Sequence, residues 1–180
     1  MMEINLIPHN GVEIQNAGKI SFGQTPDMVE KILGAPSFKR LYETYSYDVY
    51  DGMKICFDAD KRVEFIECNY PYFGKTRTLI YGADFFSLLA DEAIELLEKR
   101  NNGRIAYESL IKPKKSLYFL EIDVAIWRDF DETDAAEIRR GIVAGEYGTD
   151  TQSYENDARL AHYFKSVGIG KKGYFGHCAL

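Results

Sequence analysis

After Thr25-Pro26, apolar residues at Met28, Val29, Ile32 and Leu33 fall at the spacing of one helical face, and Gly34 with Pro36 ends the run. The pattern predicts a short helix from Pro26, with Thr25 as its cap and proline in the first turn, where a missing N–H costs nothing. The period then changes to that of strands. Leu41–Tyr50 and Met53–Asp58 flank Asp51-Gly52, a two-residue hairpin signal whose positions favour positive φ. A second turn at Ala59-Asp60-Lys61 leads into a strand over Val63–Cys68. Residues 20–68 thus read as a helix followed by three strands, preceded by an edge strand at Glu3–Ile7 and a short apolar run at Val12–Ile14.

The pattern recurs. Tyr81-Gly82-Ala83-Asp84 matches Phe22-Gly23-Gln24-Thr25 as aromatic, glycine, any residue and capping residue. Phe85, Leu88, Leu89, Ala93, Leu96 and Leu97 then form a helical stripe that stops at Asn101-Asn102-Gly103. Strands are expected over Arg104–Ile111 and Ser116–Phe130. In the second, Tyr118, Leu120, Ile122, Val124 and Ile126 share a core face, and Glu121 and Asp123 share the wet one. Residues 79–130 read as a second unit. Beyond them, Asp134-Ala135-Ala136-Glu137 opens a helix through Ala144, and Ser153 caps another that carries Ala158, Ala161, Phe164 and Val167 and ends at Gly168. The expectation is one α+β domain over 1–180: two tandem helix-plus-antiparallel-strand units (20–68 and 79–130) sharing one sheet, helices on one side, and a C-terminal helical extension over 131–180.

With 180 residues, 46% of them apolar and 14% aromatic, the chain is long and apolar enough to bury a core. A formal charge of −6 argues against nucleic acid as a partner, since phosphate binding needs concentrated Lys and Arg. Lys112-Lys114-Lys115 and Lys171-Lys172 read as solvated turns. Met1–Pro8 has no basic region or long apolar core of a signal peptide, and no run reaches membrane-spanning length, so a soluble cytoplasmic protein with no membrane partner is expected. Cys56, Cys68 and Cys178 are too few and too irregular for a disulfide framework, and Cys56 and Cys68 read as reduced, buried thiols.

No chemical motif survives its context. Gly168-Ile169-Gly170-Lys171-Lys172-Gly173 has the letters of a dinucleotide fingerprint but follows an expected helix and has no helix after it. Asp58-Ala59-Asp60 begins like a calcium loop, yet Val63 stands where glycine is needed and Asn69 where glutamate is needed. His9, His162 and His177 show no ligand or triad spacing, and His177-Cys178 lies in a Gly- and Lys-rich tail. No metal, nucleotide or other cofactor is expected, and no catalytic residue is assigned.

Two features stand above background. Glu121, Asp123, Asp129, Asp131, Glu132, Asp134 and Glu137 crowd around a single Arg128. They read either as a wet strand face followed by a helix N-terminus, which favours carboxylates, or as a docking surface for a basic protein. The second feature is tyrosine density: Tyr42, Tyr45, Tyr47, Tyr50, Tyr70 and Tyr72. Alternation puts Tyr42 and Tyr50 on the side opposite Tyr45 and Tyr47, where exposed rings would serve as interface anchors. The candidate partner-binding residues are therefore Tyr42, Tyr50, Glu121, Asp123, Asp129 and Asp131.

The run Ile20-Ser21-Phe22-Gly23-Gln24-Thr25-Pro26 through Leu33-Gly34-Ala35-Pro36 resembles the helix of BamE-like (SmpA/OmlA) lipoproteins and of beta-lactamase-inhibitor-type repeats, where a threonine, a short helix and Leu-Gly-x-Pro precede a β-meander. The resemblance covers residues 20–68, its second copy is degenerate, and the acylated cysteine of the lipoproteins has no counterpart. The chain also looks like small bacterial immunity proteins. These resemblances imply a binding scaffold: a non-enzymatic module for a protein partner, with a toxin-neutralising role as one form of it. The competing class is an enzyme whose site is assembled from scattered Asp, Glu, Tyr and His.

Overall fold

Local signals place the first helix where the pattern puts it. In the computed structural model, which describes residues 2–71, 76–107, 115–149 and 151–178, α1 spans Pro26–Leu33 and ends at Gly34 with φ +78°. Thr25 holds the extended N-cap backbone, although its side chain makes no cap hydrogen bond. Ahead of the helix run β1 (Met2–Ile7), β2 (Gly11–Ile14) and β3 (Gly18–Ser21), and behind it β4 (Phe38–Leu41), β5 (Ser46–Tyr50), β6 (Met53–Phe57) and β7 (Val63–Asn69). The expected strand Leu41–Tyr50 is thus a hairpin bend into a strand, with the chain turning at residues 42–45.

The second stretch contains β8 (Thr76–Ile80), β9 (Ala83–Asp84), a 3-10 turn at Phe85–Ser87, α2 (Ala90–Asn101) and β10 (Ile105–Tyr107). Gly82 at φ +82° and Gly23 at φ +84° share a conformation that glycine adopts at no steric cost, but the turns differ, since Tyr81 is also left-handed at φ +52° and Phe22 is not. The helix starts later than the stripe implied. Asp84 precedes only the 3-10 turn, and Glu92 caps α2 by accepting from Leu89 N. Asn102 closes α2 in the left-handed region, as the Asn-Asn-Gly signal suggests. The later part of the expected strand Arg104–Ile111 lies outside the described residues.

Ser116–Phe130 is two strands. β11 (Ser116–Phe119) and β12 (Val124–Trp127) pair antiparallel about a turn at residues 120–123, where Asp123 adopts φ +47°. An aspartate tolerates this left-handed turn conformation better than most residues, and apolar-acidic alternation hides such a turn inside a strand-like pattern. α3 (Glu132–Ala144) starts earlier than expected: Asp131 is the N-cap, accepting from Thr133 N and Asp134 N, and Asp134 returns the bond to Asp131 N. α4 covers only Gln152–Leu160. The remainder of the expected helix is a turn over residues 161–165 and the first part of β13 (Ser166–Gly170), which is followed by a 3-10 turn at Tyr174–Cys178.

The chain is α+β, but its strands form two sheets where one was expected. The smaller has the order β3-β2-β1-β8-β9, and β1 and β8 run parallel. The larger has the order β10-β11-β12-β13-β7-β6-β5-β4 and is antiparallel throughout. The C-terminal stretch is therefore not only helical, since β13 enters the middle of the larger sheet. Side chains from both sheets and from α1 and α2 meet in one buried cluster reaching from Ile4 to Ile169. The apolar side chains of α3 and α4 pack on each other in a separate cluster of Ala135, Ala158 and Ala161. Among the described residues no helix is long and apolar enough to cross a membrane.

Candidate functional site

The larger sheet has an inner face, buried under the smaller sheet and helices, and an outer face whose residues follow from register. Opposed residues share a face, so Phe38 with Val49, and Arg40 with Tyr47, Cys56 and Phe65, point outward. A register shift between Cys56 and Phe57 lets Val63 stay in the core while Phe65 turns out.

At the sheet centre this outer face is covered. Phe65 stacks on Tyr174 with ring centres 5.1 Å apart and meets Phe175 edge-on, and Tyr118 contacts Phe175 and Trp127. The C-terminal 3-10 turn lies over these rings. Gly168 makes room beneath them, because a Cβ there would lie 2.3 Å from the Phe65 ring.

Toward β4 the outer face is open. All four residues of β4 are exposed, and among the described residues the strand has a neighbour only on the β5 side. Phe38 is 50% exposed, Tyr42 37% and Tyr45 41%, and Leu41, on the opposite side of the strand, 76%. Tyr42 stacks on Tyr45 with ring centres 4.4 Å apart, and Tyr47 contacts both Phe38 and Tyr42. Arg40 lies over the Tyr42 ring at 5.1 Å and Lys54 over Tyr47 at 5.9 Å. Lys54 also pairs with Glu67 and Lys39 with Glu30, whereas Arg40 makes no ion pair with a described residue.

The structure disperses the residues singled out from the sequence. Tyr42 is exposed as expected, but it shares its cluster with Tyr45 and Tyr47 because the chain bends between them. Tyr50 is 8% exposed, and its hydroxyl has no hydrogen-bond partner among the described residues. Burial, with Asp48 and Glu30 adding to it, raises its pKa above the ordinary tyrosine value. Glu121 is exposed at the β11–β12 turn, yet Asp123, two residues on, is 2% exposed. Its carboxylate accepts from Gly173 N at 2.7 Å and Phe175 N at 3.2 Å, and His9 Nε2 lies 3.1 Å away. Asp129 pairs with Lys165 beyond the far end of β12, and Asp131 caps α3. No single acidic surface forms: one carboxylate is buried, one capped to a helix and one ion-paired.

Among the described residues, His9 and Asp123 make an arrangement with the look of a general base and its orienting acid. Both hold left-handed backbone, φ +65° and +47°, and 33% of the His9 side chain is exposed. No hydroxyl or thiol of a described residue is hydrogen-bonded to His9, so a nucleophile is missing from the pair. Among the described residues no group of His, Cys, Asp and Glu is placed to hold a metal ion. Burial pushes the Cys56 thiol up to about 11 and the Cys68 thiol up to about 12, which keeps both protonated and unreactive at neutral pH.

Asp48 is buried beside Tyr50 on the inner face, with one carboxylate oxygen unpartnered. Burial raises its pKa and Lys39 partly offsets this. A raised folded-state value means that Asp48 contributes most stability below the ordinary carboxylate pKa of 3.8 and loses that contribution as pH rises through the folded-state value. Asp48→Asn should therefore be more stable than the parent at pH 7, by on the order of 1 kcal/mol, with the advantage shrinking toward pH 4. Urea denaturation at the two pH values checks this, and a variant less stable at pH 7 than at pH 4 relative to the parent contradicts it.

No family model, characterised protein or solved structure matches the chain.

Proposed function

We propose that the chain is a non-enzymatic protein-binding module that docks its partner on the open end of the larger sheet, around β4. One observation carries this reading: Phe38, Tyr42 and Tyr45 are exposed together on the edge strand and the turn after it, joined by ring contacts of Phe38 and Tyr42 with Tyr47 and of Tyr42 with Tyr45, and Arg40 lies over the Tyr42 ring. Folded chains shield edge strands and rarely leave large apolar side chains gathered on them. Tyrosine and arginine are also the side chains that contribute most at protein interfaces. A toxin to be neutralised, the partner that the immunity-protein resemblance implies, fits such a surface.

The tandem-unit reading belongs to the same proposal. It is supported by the shared left-handed conformation of Gly23 and Gly82, and by the meanders β4 to β7 and β10 to β13, which meet through the β7–β13 pair. The second unit then extends past residue 130 to β13, with α3 and α4 inserted before its last strand.

Replacing Tyr42 and Tyr45 together with alanine tests the docking surface. Each residue is exposed, so stability should change by less than about 1 kcal/mol, while affinity for a partner captured from the native host should fall at least tenfold. Capture at parental affinity by this double variant rejects the surface. The enzyme reading has His9 and Asp123 in its favour, and it predicts a catalytic activity that disappears in His9→Ala while partner capture is unchanged.

A further inference from the structure

Tyr42 N donates to Tyr45 O at 2.9 Å, continuing the register in which Arg40 faces Tyr47 and Phe38 faces Val49. Hydrogen-bonded pairs alternate along an antiparallel ladder, so Phe38 and Arg40 turn their backbone groups toward β5. Lys39 and Leu41 turn theirs toward the open edge. Those outward N–H and C=O groups are a template for one more strand.

Charge restricts what that strand can be. A second copy of this chain, paired antiparallel about a two-fold axis at Lys39 or Arg40, the two registers that overlap more than one residue of β4, would set Lys39 against Lys39 or Arg40 against Arg40. Like charges directly opposite destabilise a sheet. Lys39 already has Glu30, but Arg40 makes no ion pair with a described residue and sits on the outer face between Phe38 and Tyr42. We propose that β4 accepts, by strand addition, an extended acidic segment of a different protein, with a carboxylate facing Arg40 and apolar side chains against Phe38 and Tyr42. The inference rests on the protein-binding reading above and specifies its partner. Main-chain hydrogen bonds from Lys39 and Leu41 would supply affinity, and alternate side chains the selectivity.

Random peptides displayed on phage, selected against the full chain, supply the probe, and the most enriched sequence is synthesised. It should alternate carboxylates with apolar residues and slow amide exchange at Lys39 and Leu41 at least tenfold. Leu41→Pro removes an outward N–H but no β4–β5 hydrogen bond, a substitution tolerated at sheet edges. It should weaken peptide binding at least tenfold with an unchanged melting temperature. Arg40→Glu should do the same, with binding recovered when the facing carboxylate of the peptide is changed to lysine. Enrichment of basic peptides, failure to enrich any peptide, or binding indifferent to both substitutions overturns strand addition. If the tyrosine double variant loses its host partner while Leu41→Pro keeps it, the docking surface stands and strand addition fails. If neither substitution affects capture, both readings fail.

Discussion

Asp123→Ala is expected to destabilise the protein by about 3 kcal/mol, although a carboxylate in an apolar-acidic alternation has every appearance of a solvated residue. The lost group accepts two backbone hydrogen bonds, from Gly173 and Phe175, and contacts His9, all at a position 2% exposed. Alanine leaves both N–H groups without their acceptor, and Phe175, unlike the exposed Gly173, is buried. The C-terminal 3-10 turn also loses its tether, so the amides of Gly173 and Phe175 should exchange faster even under conditions where the rest of the sheet stays protected. Asp123→Asn keeps one acceptor oxygen and tolerates the same left-handed backbone, and it should fall between alanine and the parent. Glu121→Lys provides the contrast two residues away. It should change stability by no more than about 0.5 kcal/mol, because the Glu121 side chain is exposed and only its backbone N–H is held, by Asn101 Oδ1. Thermal and urea denaturation measure all three, and equal effects of Asp123→Ala and Glu121→Lys would contradict the burial of Asp123.

Phe119→Ala should cost about 4 kcal/mol, the range for deleting a fully buried aromatic ring. Phe119 is 0% exposed, lies opposite Val124 across the β11–β12 pair and Ile105 across the β10–β11 pair, and joins the main core. This substitution discriminates between two chain paths. A continuous strand over Ser116–Phe130 puts Phe119 on the same wet face as Glu121 and Asp123, where alanine would cost little. The hairpin reverses that assignment: Leu117 and Phe119 face the main core, and Tyr118 and Leu120 pack in the outer cluster with Phe65 and Phe175. Tyr118→Ala should accordingly cost less than Phe119→Ala, since Tyr118 is only partly buried. The opposite order in urea denaturation would restore the continuous strand.

The elements legible in the sequence are those whose conformation is decided within a few residues. Thr25-Pro26 and Gly34 bound α1, Asn101-Asn102-Gly103 ends α2, and Gly145 ends α3, because capping and left-handed stops depend on local φ and on side chains one turn away. The turn at Asp51-Gly52 was legible for the same reason, although only Gly52 takes positive φ. The α+β character followed from such signals, as did the exposure of Tyr42.

What only the tertiary structure decided depends on neighbours distant in the chain. β13 is a strand because its small residues fit between β12 and β7, under Phe65 and Trp127, and not because Ser166-Val167-Gly168-Ile169-Gly170 has a strand period of its own; all five residues are buried. The parallel pairing of β1 with β8 joins segments separated by the whole first unit, and no local pattern encodes it. The burial of Asp123 requires the β1–β2 turn and the C-terminal turn to arrive together, so its charge suggested a surface that the fold does not make. The open edge at β4 arose the same way. A strand's composition shows which side chains it carries, whereas its lack of an outer neighbour among the described residues is a property of the sheet, set by where the other strands pair.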